Sequence, residues 1–230
     1  MHSFGQTRSA RCHDHLLQTP DTFVRAPLPG MKRATAVVHA SPAIGAKFTQ
    51  YTAEFEAGGL LPRCETQRFV YVLEGTLQGM KAGDYAWFPA GVELTAESIA
   101  RAAVLEKAYQ PLAGTAMPGC IQGSESLIVP TPLMGDPDLE VRCLIPADAA
   151  FDLAVNTMTF RPGATLPMVE VHVMEHGLLM LEGAGIYRLG DHWYPVTEGD
   201  FIWMAPWLPQ WFGALGKTPT KYLLYKDWNR

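Results

Sequence analysis

Hydrophobic positions in this chain come in short runs bounded by glycine and proline, with almost no stretch that repeats at the spacing of an amphipathic helix, so strands are predicted nearly throughout. The runs recur. Thr66 to Gly75 resembles Val173 to Gly183, Gly83 to Pro89 resembles Gly199 to Pro206, and upstream Glu54 to Gly58 answers Thr159 to Gly163. Matches in one order argue for a duplicated unit, and units of short, turn-punctuated strands predict two small antiparallel barrels. The Pro- and Gly-rich stretch from Gln110 to Glu125 reads as their connector. The interval from Gly75 to Gly83 is half that from Gly183 to Gly199, which predicts a truncated hairpin in the first barrel.

Composition narrows the function classes. With 230 residues, 48% hydrophobic and 18% charged, the chain can bury a substantial core. A formal charge of −5 without a basic run gives no reason to expect nucleic acid or an anionic membrane as partner. Cys12, Cys64, Cys120 and Cys143 lack CxxC spacing, so reduced thiols in a cytoplasmic protein are expected, with no disulfide framework. No secretory h-region or membrane-spanning apolar run appears, and a soluble protein is expected.

The densest chemistry lies between Glu170 and His176, where His172 and His176, two of seven histidines, stand beside a carboxylate. In an extended chain, Glu170, His172 and His176 all project from one face. In a helix His172 and His176 would still share a face, but Glu170 would lie about 200° from His172. Pro162 and Gly163 upstream and Gly177, Gly183 and Gly185 downstream favour the extended form, so three candidate metal ligands converge from one short segment.

These residues resemble the two cupin signatures: Gly163, Glu170, His172, His176 and Gly183, then Gly199 followed by Gln210 where cupins usually carry a third histidine. Ala205 and Trp207 stand where the motif's Pro and Gly normally fall. Together with Gly183 to Tyr187, Gly199 to Met204 and the ending Tyr225 to Arg230, the second unit is similar to the bicupin (S)-ureidoglycine aminohydrolases. The fold so implied is all-β, two tandem cupin barrels of the double-stranded β-helix or jelly-roll type. Its organisation would be an N-terminal arm over residues 1–30, a metal-free degenerate barrel over 31–115, and a connector plus metal-binding barrel over 116–230.

The resemblance implies Glu170, His172, His176 and Gln210 as metal ligands. A carboxylate, two imidazoles and an amide oxygen suit Mn²⁺ or Fe²⁺ better than a closed structural Zn²⁺ site, and the resemblance supplies Mn²⁺. It further implies hydrolytic release of ammonia from (S)-ureidoglycine, a small ureido amino acid, to give (S)-ureidoglycolate in purine and allantoin catabolism, and a homo-oligomer. Substrate contacts carry over to Tyr187, Gln210, Tyr222 and Lys226, with Glu170 and Lys226 as catalytic candidates. In a strand Tyr222 and Lys226 share a face, and an inward ammonium calls for an anion such as a substrate carboxylate. The same centre could instead serve a dioxygenase or isomerase cupin, or a non-catalytic ligand-binding bicupin.

The first unit offers an internal comparison, because no histidine lies between His39 and His172. Anchoring on Gly75 and Gly183 sets Arg68 opposite His176, Cys64 opposite His172 and Pro62 opposite Glu170, while Leu94 falls opposite Gln210 when Gly83 is set against Gly199. Elsewhere, His13 and His15 beside Asp14 read as a solvated cluster, and His192 as a hairpin-loop residue. Trp203, Trp207 and Trp211 are expected to line or roof the metal barrel.

Overall fold

The computed structural model describes residues 6–227; Trp228 to Arg230, the end of the family-like C-terminal run, lie outside the described residues, as does His2. Strands β1 (Ala10–Arg11) and β2 (His15–Gln18) come first. They are followed by β3 (Arg25–Ala26), β4 (Lys32–Ala40), β5 (Thr49–Leu61), β6 (Gln67–Glu74), β7 (Thr76–Leu77), β8 (Met80–Lys81), β9 (Asp84–Phe88), β10 (Leu94–Thr95), β11 (Ala100–Lys107) and β12 (Ile121–Ser124). The remainder are β13 (Thr131–Leu133), β14 (Asp136–Cys143), β15 (Leu153–Phe160), β16 (His176–Glu182), β17 (Ala184–Leu189), β18 (His192–Thr197), β19 (Phe201–Met204), β20 (Gln210–Leu215) and β21 (Thr220–Asp227). Among the described residues the only helices are single 3₁₀ turns, and no helix is long and apolar enough to cross a membrane.

Two compact units divide the chain. The N-terminal unit takes Val24–Ile128 and Pro146–Asp152; the C-terminal unit takes the chain up to Phe23, Val129–Ile145 and the chain from Leu153. Their sheets run in the same order: β9-β6-β11-β5-β4-β3 in one and β19-β16-β21-β15-β14-β13 in the other. The duplication legible in the sequence is therefore a duplication of topology. Each sheet then gains an outer strand from outside its own repeat. β12, within the connector, pairs with β9, and β2, within the expected N-terminal arm, pairs with β19. An edge strand presents unpaired N–H and C=O groups, and both additions satisfy them.

The hairpins differ as the glycine spacing predicts. β7 and β8 are two-residue strands turned by Gln78 and Gly79, both at positive φ, whereas β17 and β18 are six-residue strands that pair fully. Each unit closes over its own apolar core. In the N-terminal unit this includes Tyr51, Val70, Val72 and Val104, and in the C-terminal unit Phe160, Leu178, Ile202 and Phe212. Members of these cores fall at alternate positions along the strands, while β6, β19 and the middle of β21 are buried on both faces.

The N-terminal unit also buries His39, whose Nε2 meets Thr52 Oγ1 at 2.8 Å. Burial pushes its pKa down to about 3, so it is neutral in the folded protein. The unfolded imidazole binds a proton below about pH 6.5 and the folded one only near its lowered pKa, so stability is lost as pH falls across that interval. We expect a loss of up to about 1.4 kcal/mol per pH unit from this group, and His39→Gln should flatten that part of the acid limb in urea titrations. An identical pH dependence in wild type and variant would contradict the assignment.

Candidate active site and metal centre

Backbone pairing brings the two sequence signatures together. The Glu170 amide donates to the Gln210 carbonyl and the Gln210 amide to the Glu170 carbonyl, both at 2.8 Å, so these residues form one bridge. The Trp207 amide donates to the His172 carbonyl at 2.6 Å. Trp207 has φ +67°, a left-handed conformation that costs a non-glycine residue about 1–2 kcal/mol, which explains why the motif normally keeps glycine there. From that turn the chain enters β20 and places Gln210 at its first position.

The extended reading of 170–176 holds in part. Glu170, His172 and Met174 alternate with exposed Val171 and Val173, but a bend at Val173 and Met174 interrupts the period before β16 begins. Glu175 and His176 are consequently both buried. Glu175 accepts from Trp203 Nε1 at 3.0 Å, while His176 turns toward the barrel interior.

A cavity of about 180 Å³ lies in the C-terminal unit, and Glu170, His172, His176, Tyr187, Gln210, Tyr222 and Lys226 all line it. Tyr222, Leu224 and Lys226 reach it from one face of β21, at the period-two spacing expected. Leu133, Val141 and Met158 form an apolar wall. His172 Nε2 is 3.1 Å from Glu170 Oε2, and the rings of His172 and His176 are 4.9 Å apart at their centroids. Tyr187 Oη donates to Gln210 Oε1 at 2.8 Å, which fixes the amide's orientation.

His176 bears on whether these residues fit a metal ion. Its Nδ1 is 3.2 Å from the Met174 carbonyl, while its Nε2 is buried and meets no hydrogen-bond partner among the described residues. A buried nitrogen left bare is costly unless something fills the coordination position. Burial above all, then the Lys226 and His172 charges, lowers its pKa to about 3, so its lone pair is free at neutral pH. Carboxylate, two imidazoles and an amide oxygen around such an atom fit a divalent ion of the Mn²⁺ or Fe²⁺ type.

The other titratable walls are shifted too, the tyrosines toward and the lysine away from the form that binds an anion. Burial, together with Glu170, raises the pKa of the Tyr187 and Tyr222 hydroxyls, which stay protonated as donors. Lys226 is half-buried; desolvation lowers its pKa and Glu170 partly offsets this.

Two expectations need correction, and one cavity residue had no sequence signal of its own. Trp207 is 65% exposed, and none of Trp203, Trp207 or Trp211 lines the cavity, because Trp203 and Trp211 are turned to donate to Glu175 and to the Leu166 carbonyl. His15 is buried within the C-terminal unit because its strand completes a sheet, so it is no solvated terminal residue. Asn156 lines the cavity with a buried Nδ2 that has no hydrogen-bond partner among the described residues, and it was missed. Only its place in β15, on the face it shares with Met158 and Phe160, could have pointed to it.

Residues 156–225 match the Cupin domain family. A protein of Oryza sativa subsp. japonica named "Probable (S)-ureidoglycine aminohydrolase" is 41% identical over 98% of this chain and 77% of its own length. The (S)-ureidoglycine aminohydrolase of Arabidopsis thaliana is 40% identical over 98% of this chain and 80% of its own. The chain belongs to the (S)-ureidoglycine aminohydrolase family. The crystal structure of protein Ylba from E. coli superposes with a TM-score of 0.85 at 26% identity, covering 98% of this chain and 96% of that one. The fold of this family member is all-β, with tandem jelly-roll barrels of the cupin type.

Proposed function

We propose that this protein is an Mn²⁺-dependent (S)-ureidoglycine aminohydrolase, which adds water to (S)-ureidoglycine and releases ammonia and (S)-ureidoglycolate. The observation that carries the reading is the convergence of all seven expected side chains on one small cavity. The names of the relatives at 41% and 40% identity support the substrate.

Glu170, His172, His176 and Gln210 would hold the ion, which when bound supplies Lewis-acid stabilisation of charge developing as the C–N bond breaks. The Lys226 ammonium binds the substrate carboxylate, an anion that offsets the cost of keeping it half-buried. Tyr222 donates a hydrogen bond from the same strand face. Glu170, the carboxylate in the cavity wall, moves a proton between the attacking water and the departing nitrogen. Leu133, Val141 and Leu224 exclude bulk water from the reacting groups.

The N-terminal barrel is proposed to hold no ion. Arg68 pairs in register with Glu106 where His176 pairs with Lys226. Its guanidinium reaches Glu106 Oε1 at 2.6 Å and the Val92 carbonyl at 2.7 Å, filling that position with an internal ion pair. A homo-oligomer in the cytoplasm belongs to the same proposal: Met168, Val169, Val171 and Val173 form an exposed apolar stretch, and all four cysteines are free. Sedimentation of the full chain tests the association.

Elemental analysis followed by an ammonia assay on freshly generated (S)-ureidoglycine tests the activity, with allantoate and ureidoglycolate as controls. Ammonia from allantoate alone would overturn the assignment of substrate. Tyr187→Phe should retain the fold and lower metal affinity or kcat/KM by about 10–100-fold, because Gln210 loses the donor that orients it. Unchanged metal content and rate in that variant would remove Tyr187 from the site.

A further inference from the structure

A second set of donor atoms gathers away from the catalytic cavity. Cys12 and His15 stand at the two ends of the β1–β2 turn, which is closed by the Cys12 amide donating to the His15 carbonyl at 2.9 Å. β2 then pairs with β19, setting His15 opposite Met204, and the Ala205 amide donates to the Asp14 carbonyl at 2.9 Å. His192 opens β18 at the tight turn after Leu189, its cross-strand neighbour. Two hairpin turns far apart in sequence therefore meet, each held by main-chain hydrogen bonds.

The result is compact. One donor atom from each of Cys12, His15 and His192 lies within 4.8 Å of the others, and among the described residues no other three His, Cys, Asp or Glu side chains meet that condition. The imidazoles of His15 and His192 have centroids 5.4 Å apart. His15 is buried, Cys12 half-buried and His192 exposed, so the cluster opens to solvent on one side. Asp14 Oδ1 lies 2.8 Å from His15 Nδ1, the carboxylate–histidine pairing that leaves Nε2 as the ligating nitrogen. At present Nε2 meets the Tyr194 hydroxyl at 2.9 Å, a partner whose proton an ion would replace.

We propose that Cys12, His15 and His192 form a second metal site, for a thiophilic divalent ion of the Zn²⁺ class, that ties the N-terminal strand pair to the β17–β18 hairpin. A thiolate with two imidazoles is the donor set such ions prefer, and the hard ligands of the catalytic cavity are not. Binding converts the Cys12 thiol to a thiolate and releases its proton to solvent. The fourth position falls to water on the exposed side. This site is independent of the proposed catalytic reading.

Cobalt tests it, because sulfur-to-cobalt charge transfer absorbs in the near ultraviolet and no cysteine lines the catalytic cavity. Full-chain protein freed of metal by chelation is titrated with Co²⁺. The expected result is a charge-transfer band that saturates within two equivalents, one for each proposed site, and is bleached by Zn²⁺. It should be absent from Cys12→Ser and unchanged in Cys143→Ser and His176→Ala. Asp14→Asn should weaken Co²⁺ binding by about 10–100-fold, the usual cost of losing an outer partner of a ligating histidine. His192→Ala, a change at an exposed turn that leaves far-ultraviolet circular dichroism intact, should weaken it at least tenfold. A full chain that shows no band under excess Co²⁺, or a band that survives in Cys12→Ser, would overturn the proposal.

Discussion

His176→Ala is expected to yield a folded protein that no longer retains a tightly bound divalent ion and no longer releases ammonia from (S)-ureidoglycine. The buried Nε2 has no hydrogen-bond partner among the described residues, and its imidazole is held neutral by burial, so its lone pair is available to an ion. Replacing an outer partner of a ligand typically costs 10–100-fold in affinity or activity, and removal of the ligand atom should exceed about 100-fold. The fold should survive, because β16 is held on both sides by β19 and β21 through main-chain hydrogen bonds that do not involve the ring. Metal content by elemental analysis and the rate of ammonia release are the readouts. A variant with wild-type metal content and rate would end the case for this centre.

Lys226→Met should reduce kcat/KM by about 10- to 150-fold, chiefly through KM, while leaving the metal in place. Methionine keeps an unbranched apolar stem and loses only the ammonium. A hydrogen bond to a charged group contributes about 1.5–3 kcal/mol, and each 1.36 kcal/mol is a factor of ten in rate. Desolvation lowers the Lys226 pKa, so activity that needs the ammonium should decline with rising pH before the ordinary lysine range is reached. That alkaline limb should disappear in the variant. A kcat/KM equal to wild type, with the limb preserved, would show that another group binds the carboxylate.

Local pattern carried much of this site. Lys226 and Tyr222 could be assigned to one face because β21 is a regular strand whose alternation persists to the cavity. The duplicated unit was legible because glycines punctuate the same turns in both halves, and the structure gives the two sheets the same strand order. Glu170 to His176 was legible only in part, since a bend at Val173 and Met174 resets the alternation just before the second histidine. The Trp207 conformation could be anticipated from the glycine it replaces, but its exposure could not, because a turn's direction depends on what it packs against. Asn156 escaped notice because a polar residue on an apolar face is uninformative until the space opposite it is known.

Strand periodicity, hairpin positions, the repeat and the ligand-bearing segment were all written in spacings of a few residues, where backbone geometry alone dictates which side chains share a face. Long-range pairing was not. That β2 would complete the β19 edge, bury His15 and bring it with Cys12 to His192 was settled only by folding. A free sheet edge accepts any compatible strand, and the entropy of closing a long loop grows so slowly with its length that distance along the chain hardly favours one partner over another. Packing, which must fill each barrel and satisfy its edges at once, makes that choice.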